Sequence, residues 1–116
     1  MKASKTREHI TITEADLRKA VDVLVDRFRP HRVILFGSHA RGTADDHSDV
    51  DLLVVCPVGG SRRALQVAMD RLLRGCRFAR DIVILTPEEF QRDRHIPGTV
   101  ARPAWLEGRV LYERPS

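Results

Sequence analysis

Apolar positions along the chain follow two rhythms. From Glu14 to Phe28, Leu17, Val21, Leu24 and Phe28 recur three or four residues apart, which predicts an amphipathic helix. Thr13 followed by Asp16 resembles a capping box with Asp in the usual Glu place, and Pro30 stops the segment. The rhythm then changes to short β-branched and apolar runs bounded by turn residues, which predict buried strands over about Arg32–Phe36, Val50–Val55 and Asp81–Leu85. Between the last two, Ser61 to Gly75 sets Leu65, Ala68, Met69 and Leu72 on one side and reads as a second helix, with Ser61 as its cap. Pro87-Glu88-Glu89-Phe90 opens a further short helix.

The polar segment between the first two strands, Gly37 to Asp51, carries the candidate chemistry. Strand side chains alternate faces, so Asp49 and Asp51 project together while Val50 packs opposite. Two carboxylates side by side repel unless a cation lies between them. Hard oxygen ligands on a short strand suit Mg²⁺, which takes one or two protein carboxylates and fills its shell with water and phosphate. Gly37 permits close backbone approach, and Ser38 is placed to cap a short helix through Arg41 whose free N–H groups would hold phosphate. The second and third strands are joined by a helix, which predicts a parallel crossover that brings Asp81 to the same end as Asp49 and Asp51. Asp70 and Asp93 fall in helical segments and are set aside; for Asp81 the competing reading is a plain turn residue. Asp45 and Asp46 read as solvated turn residues. His39 either touches a nucleotide or lies at the surface, and Arg41 either reaches a triphosphate or braces the loop by pairing with a carboxylate.

Gly37-Ser38, ten intervening residues, then Asp49-Val50-Asp51, with Ala40-Arg41-Gly42 and Ser48-Asp49 inside, resembles the nucleotidyltransferase superfamily that includes DNA polymerase β and the aminoglycoside nucleotidyltransferases. The short chain and its Leu111–Arg114 ending are most similar to the minimal nucleotidyltransferases (MNT), antitoxins of HEPN/MNT toxin–antitoxin pairs. The resemblance implies an α/β (α+β) polymerase β-like fold, a mixed sheet with flanking helices. It implies that Asp49, Asp51 and Asp81 share catalytic Mg²⁺, that Asp81 accepts the proton of the attacking hydroxyl, and that Gly37, Ser38 and Arg41 bind the nucleotide. It further implies transfer of AMP from ATP to a tyrosine of a partner HEPN toxin. A non-catalytic antitoxin that neutralises a HEPN ribonuclease by binding is one alternative. A small-molecule (antibiotic) nucleotidyltransferase is another, although no acceptor-binding domain is evident. The family pattern also ends with a helix, a Gly and a closing strand, which Gly108 and Arg109–Tyr112 fit. Pro103 interrupts that helix: it starts anew there or is kinked.

Composition changes this picture little. The 116 residues suit one domain, 1–116, with a flexible arm over about 1–9. Such a domain buries roughly 65% of its unfolded surface. The net charge of +4 comes almost wholly from arginine scattered along the chain. Scattered charge is weak support for nucleic-acid binding, and no direct nucleic-acid contact is expected. No run approaches the ~20 apolar residues of a membrane span, and Met1–Lys5 opens no signal-peptide core, so the expectation is a cytoplasmic protein with no membrane contact. Association with itself or with another protein is left open. Cys56 and Cys76 are expected as buried small hydrophobes, and Phe90 and Trp105 as core or partner-contact residues.

Overall fold

Thr13 starts the first helix as expected. Its hydroxyl accepts from the Asp16 N–H at 3.1 Å, and the Asp16 carboxylate accepts from the Thr13 N–H at 2.9 Å. The computed structural model describes residues 12–45 and 47–115, so the expected arm over 1–9 and Asp46 lie outside the described residues. The elements are α1 (Glu14–Phe28), β1 (Arg32–Phe36), α2 (Ser38–Arg41), β2 (Val50–Val55), α3 (Arg62–Leu72), β3 (Arg80–Leu85), α4 (Pro87–Asp93), α5 (Ala101–Glu107) and β4 (Arg109–Glu113). None of the described helices is long and apolar enough to cross a membrane.

The strands form one mixed sheet in the order β3-β2-β1-β4. β1 runs antiparallel to both β2 and β4, whereas β2 and β3 are parallel and joined through α3. The crossover argument for Asp81 therefore holds. Alternation divides the apolar side chains between two faces. Val33, Leu35, Val50, Leu52, Val54, Ile82 and Ile84 pack beneath α1 and α3 with Leu17, Val21, Leu24, Met69 and Leu73. Ile34, Leu53 and Val55 pack on the other face with Phe90 of α4 and Ala101 and Ala104 of α5. Cys56 is buried and Cys76 half-buried, both free.

Two local expectations change. The inward face of α3 is Met69 with the half-buried Leu65, both as expected, and Leu73 just beyond the helix, whereas Ala68 and Leu72 are exposed. The reason is where α3 lies. It runs beside the outer edge of β3, where the Gln66 amide donates to the Ile82 carbonyl at 2.7 Å and Arg62 Nη1 donates to the Ile84 carbonyl at 2.9 Å. Those two side chains occupy carbonyls that an edge strand would otherwise present to a new strand. Pro103, in turn, introduces no kink. It is the third residue of α5, in the first turn, where a missing N–H deprives the helix of nothing. The helix starts anew, as one of the two readings required.

Gly108 closes α5 against the sheet. A Cβ there would lie 2.2 Å from the Ala104 carbonyl oxygen and 2.7 Å from Ile34 Cγ2, so only glycine lets the chain turn this tightly into β4. β4 begins at Arg109 opposite Leu35. The end of α5 is thereby set beside the end of β1, next to Gly37.

Candidate active site

The C-terminal end of β1 and the N-terminal ends of β2 and β3 meet at one edge of the sheet. Asp51 is paired with Phe36 on one side and with Asp81 on the other. Paired residues on neighbouring strands share a face, and Phe36, Val83 and Leu85 pack on the α4/α5 face. Asp51 and Asp81 therefore project together toward that side. Asp49 lies one residue ahead of β2, exposed, and alternation returns it to the same side. Electrostatics agrees with this placement. Burial first, then the negative charges of Asp81 and Asp49, push the Asp51 carboxyl above the ordinary aspartate value, while His39 and Arg41 oppose the shift.

Gly37 sits against this cluster. Its backbone, at φ 75° and ψ −156°, is in a region open essentially to glycine. A Cβ on it would fall 2.1 Å from Asp51 Oδ2. The glycine thus forms one wall of the carboxylate's seat. It also takes the cap position of α2, which corrects the expectation for Ser38: Ser38 is the first helical residue and its hydroxyl caps nothing in α2. The carbonyl of Gly37 accepts from the N–H groups of Ala40 and Arg41, both at 3.1 Å.

Arg41 follows the bracing alternative in part. Its Nη1 lies 3.8 Å from Glu107 Oε1 at the end of α5, with both side chains about half exposed. An exposed pair at that distance is worth well under ~1 kcal/mol, so the guanidinium can leave Glu107 for an anion at little cost. His39 is half-buried, and its Nε2 lies 3.1 Å from the Ser48 carbonyl oxygen. Asp45 is a turn residue as expected: its Oδ1 accepts from the His47 N–H at 2.8 Å. Hydrogen bonds from His47 and Ser48 hold its carboxyl below the usual range. Arg80, adjacent to Asp81, is committed elsewhere. It donates to the Asp70 carbonyl at 2.7 Å and the Phe78 carbonyl at 3.3 Å, and its Nε lies 3.2 Å from Asp70 Oδ1 without donor alignment. Phe90 is core and meets the partly exposed Trp105 edge-to-face at 6.1 Å, with Arg94 over the Trp105 ring at 4.3 Å.

The donor set fits a hard divalent cation. Burial, then the charges of Asp81 and Asp49, already disfavour Asp51 as an anion, and a cation would oppose that. Among the described residues no three His, Cys, Asp or Glu side chains form a ready-made metal cage. A Mg²⁺ site needs none, because one or two carboxylates with phosphate and water complete its shell. Sequence reasoning missed three features: the Gly37–Asp51 contact, the identity of Glu107 as the carboxylate beside Arg41, and the His39–Ser48 bond. Each depends on where distant segments meet, and only the pairing of Gly37 with Asp51 had a signal, the conjunction of Gly-Ser with Asp-x-Asp.

The profile of the nucleotidyltransferase domain matches residues 17–112. No curated protein matches the chain. Among solved structures, a candidate nucleotidyltransferase from Sulfolobus solfataricus is 23% identical, with a TM-score of 0.59 over 86% of this chain and 79% of that one. A tyrosine-to-alanine mutant of the toxin–antitoxin pair MntA–HpeT is 22% identical, with a TM-score of 0.62 over 84% of this chain and 72% of that one. At these identities both share the fold.

Proposed function

Because the chain belongs to the nucleotidyltransferase domain family, we propose that it transfers AMP from ATP, with Mg²⁺, to a tyrosine hydroxyl of a HEPN-type toxin and so acts as an antitoxin. The observation that carries this reading is the in-register pairing of Asp51 with Asp81 on one face, beside the Gly37 turn. The resemblance of the motif to minimal nucleotidyltransferases and the fold shared with a toxin–antitoxin structure support the choice of partner.

Asp49 and Asp51 would hold Mg²⁺, with Asp81 sharing it, and the ion when bound would neutralise charge on the phosphate oxygens. Asp81, exposed at the open edge, accepts the proton as the acceptor oxygen bonds to the α-phosphorus and the bond to pyrophosphate breaks. Gly37 keeps the backbone close to Asp51, while Ser38 and Arg41 orient the triphosphate. A partner-borne acceptor suits this rim, where Asp49 and Asp81 both face solvent.

The experiment mixes trace protein with excess HEPN toxin, ATP and Mg²⁺. Catalysis predicts that the toxin gains the mass of AMP, stays inactive after the protein is removed, and is spared by Asp81→Asn. Neutralisation that needs equal amounts and no nucleotide would establish sequestration instead. Label transfer from ATP to an aminoglycoside but not to toxin would establish a small-molecule acceptor.

A further inference from the structure

We propose that His39 is a positioning residue that holds Asp49 in place, an inference that rests on the functional reading above. Asp51 and Asp81 lie within strands, where the pairings of β2 with β1 and β3 set their backbones. Asp49 has no such support, since β2 begins at Val50. Its place is set by its two neighbours. On one side Val50 is fully buried and donates its N–H to the Ala79 carbonyl at 2.9 Å. On the other, the Ser48 carbonyl meets His39 Nε2 at 3.1 Å.

The turn ahead of Asp49 is closed on itself. The Ser48 N–H donates to the Asp45 carbonyl at 3.1 Å. The Asp45 N–H donates to Ser48 Oγ at 3.0 Å, and the Ser48 hydroxyl donates to Asp45 Oδ1 at 3.2 Å. Such a turn is stiff within itself, yet its internal bonds do nothing to stop it swinging as a unit. The His39 bond ties it to α2. A carbonyl oxygen can only accept, so His39 presents Nε2–H, and Nδ1 is left free of that task. Because His39 follows Ser38 directly, one imidazole keys the phosphate-binding turn to the carboxylate that precedes β2. Displacement of a positioned group by about 1 Å can cost ~10²-fold in rate, so a bond of this kind matters more to turnover than to folding.

The test compares wild type, His39→Ala and His39→Gln, whose side-chain amide nitrogen falls near the position of Nε2. Amide hydrogen exchange on the protein without metal or nucleotide reads the clamp directly. In His39→Ala, exchange over residues 47–50 should rise about tenfold while α1 and β1 stay as in wild type. In transfer assays with Mn²⁺ as the probe ion, the half-saturating Mn²⁺ concentration should rise about tenfold, and kcat should fall more than the nucleotide KM rises. His39→Gln should recover most of both effects. Unchanged exchange in His39→Ala, exchange accelerated equally in α1 and β1, or no recovery in His39→Gln would each overturn the inference. If the wild type transfers nothing to any acceptor, the proposed function fails, and the exchange measurement still decides whether His39 holds the segment.

Discussion

Gly37→Ala perturbs the backbone and the carboxylate cluster at once. The backbone at Gly37 has φ 75° and ψ −156°, and a methyl there would sit 2.1 Å from Asp51 Oδ2. Holding a non-glycine residue in that region costs on the order of 1–3 kcal/mol. Carbon and oxygen without a hydrogen bond keep roughly 3.5 Å apart, so the carboxylate must also withdraw by more than an ångström. For a domain near 100 residues each kcal/mol moves Tm by about 4–8 °C, which puts the expected fall at roughly 8–16 °C for a mid-range strain. Turnover should drop by ~10²-fold or more, because the group that moves is the one held closest to the turn. The strain and the clash separate in a double-mutant cycle. In an Asp51→Ala background the clash disappears and the strain remains, so Gly37→Ala should cost less there, read by thermal denaturation of all four proteins. An equal cost in both backgrounds, or wild-type turnover in Gly37→Ala, would refute the contact as a functional constraint.

Three further outcomes follow from the same geometry. Asp51→Asn should abolish transfer of label from α-phosphate-labelled ATP while raising Tm at pH 7 by a few degrees. The folded state holds the Asp51 proton more tightly than the unfolded chain, so ionisation removes stability as pH rises from the ordinary aspartate range through the raised value. The advantage should therefore vanish in acid, and a lower Tm at pH 7 would contradict it. Ser38→Ala should reduce turnover more than nucleotide affinity, since one hydroxyl bond to a charged phosphate is worth roughly 1.5–3 kcal/mol and backbone donors remain; calorimetry beside steady-state kinetics decides, and unchanged kinetics would leave Ser38 a turn residue only. The bidentate Arg62 contact, with the Thr86 N–H, lowers Glu89 from 4.5 to about 2. Its stabilisation is present above pH 4.5 and is lost as pH falls toward 2. Glu89→Gln should thus lower Tm at pH 7 and match the parent near pH 2; a difference that persists in acid would implicate packing instead.

Much of the architecture could be read from local pattern because local physics dictates it. α1, β1 and β2 have the expected limits, since a capping box, Pro30 and the Gly37 and Pro57 turns bound strong apolar periodicity. The place of Asp81 beside Asp51 is legible through topology: a helix between two strands implies parallel starts, and β3 lies beside β2 in register. The face of α3 was read less well. Its amphipathic pattern leaves several helix rotations open, and the edge of β3 settled the matter through Arg62 and Gln66. Ser38 lost the cap to Gly37 because serine's helix-starting preference is general, whereas the backbone conformation at the cap is one that glycine alone tolerates well. Glu107 as the partner of Arg41, and Ser48 as the partner of His39, had no trace in the sequence. Both depend on how loops and helices return to the sheet edge.

The central position of Asp51 has a consequence for errors in assembly. A slip of β2 by one residue would turn every side chain to the opposite face. Asp51 would then point among Val33, Leu35 and Ile82 beneath α1 and α3, and Leu52 would face the open rim. An unpaired carboxylate in such surroundings costs several kcal/mol, comparable with the whole stability of a small domain. Misaligned chains are therefore selected against by the same apolar contacts that build the core. Folding itself proofreads the site, and a chain that has reached its native core has already placed Asp51 opposite Asp81.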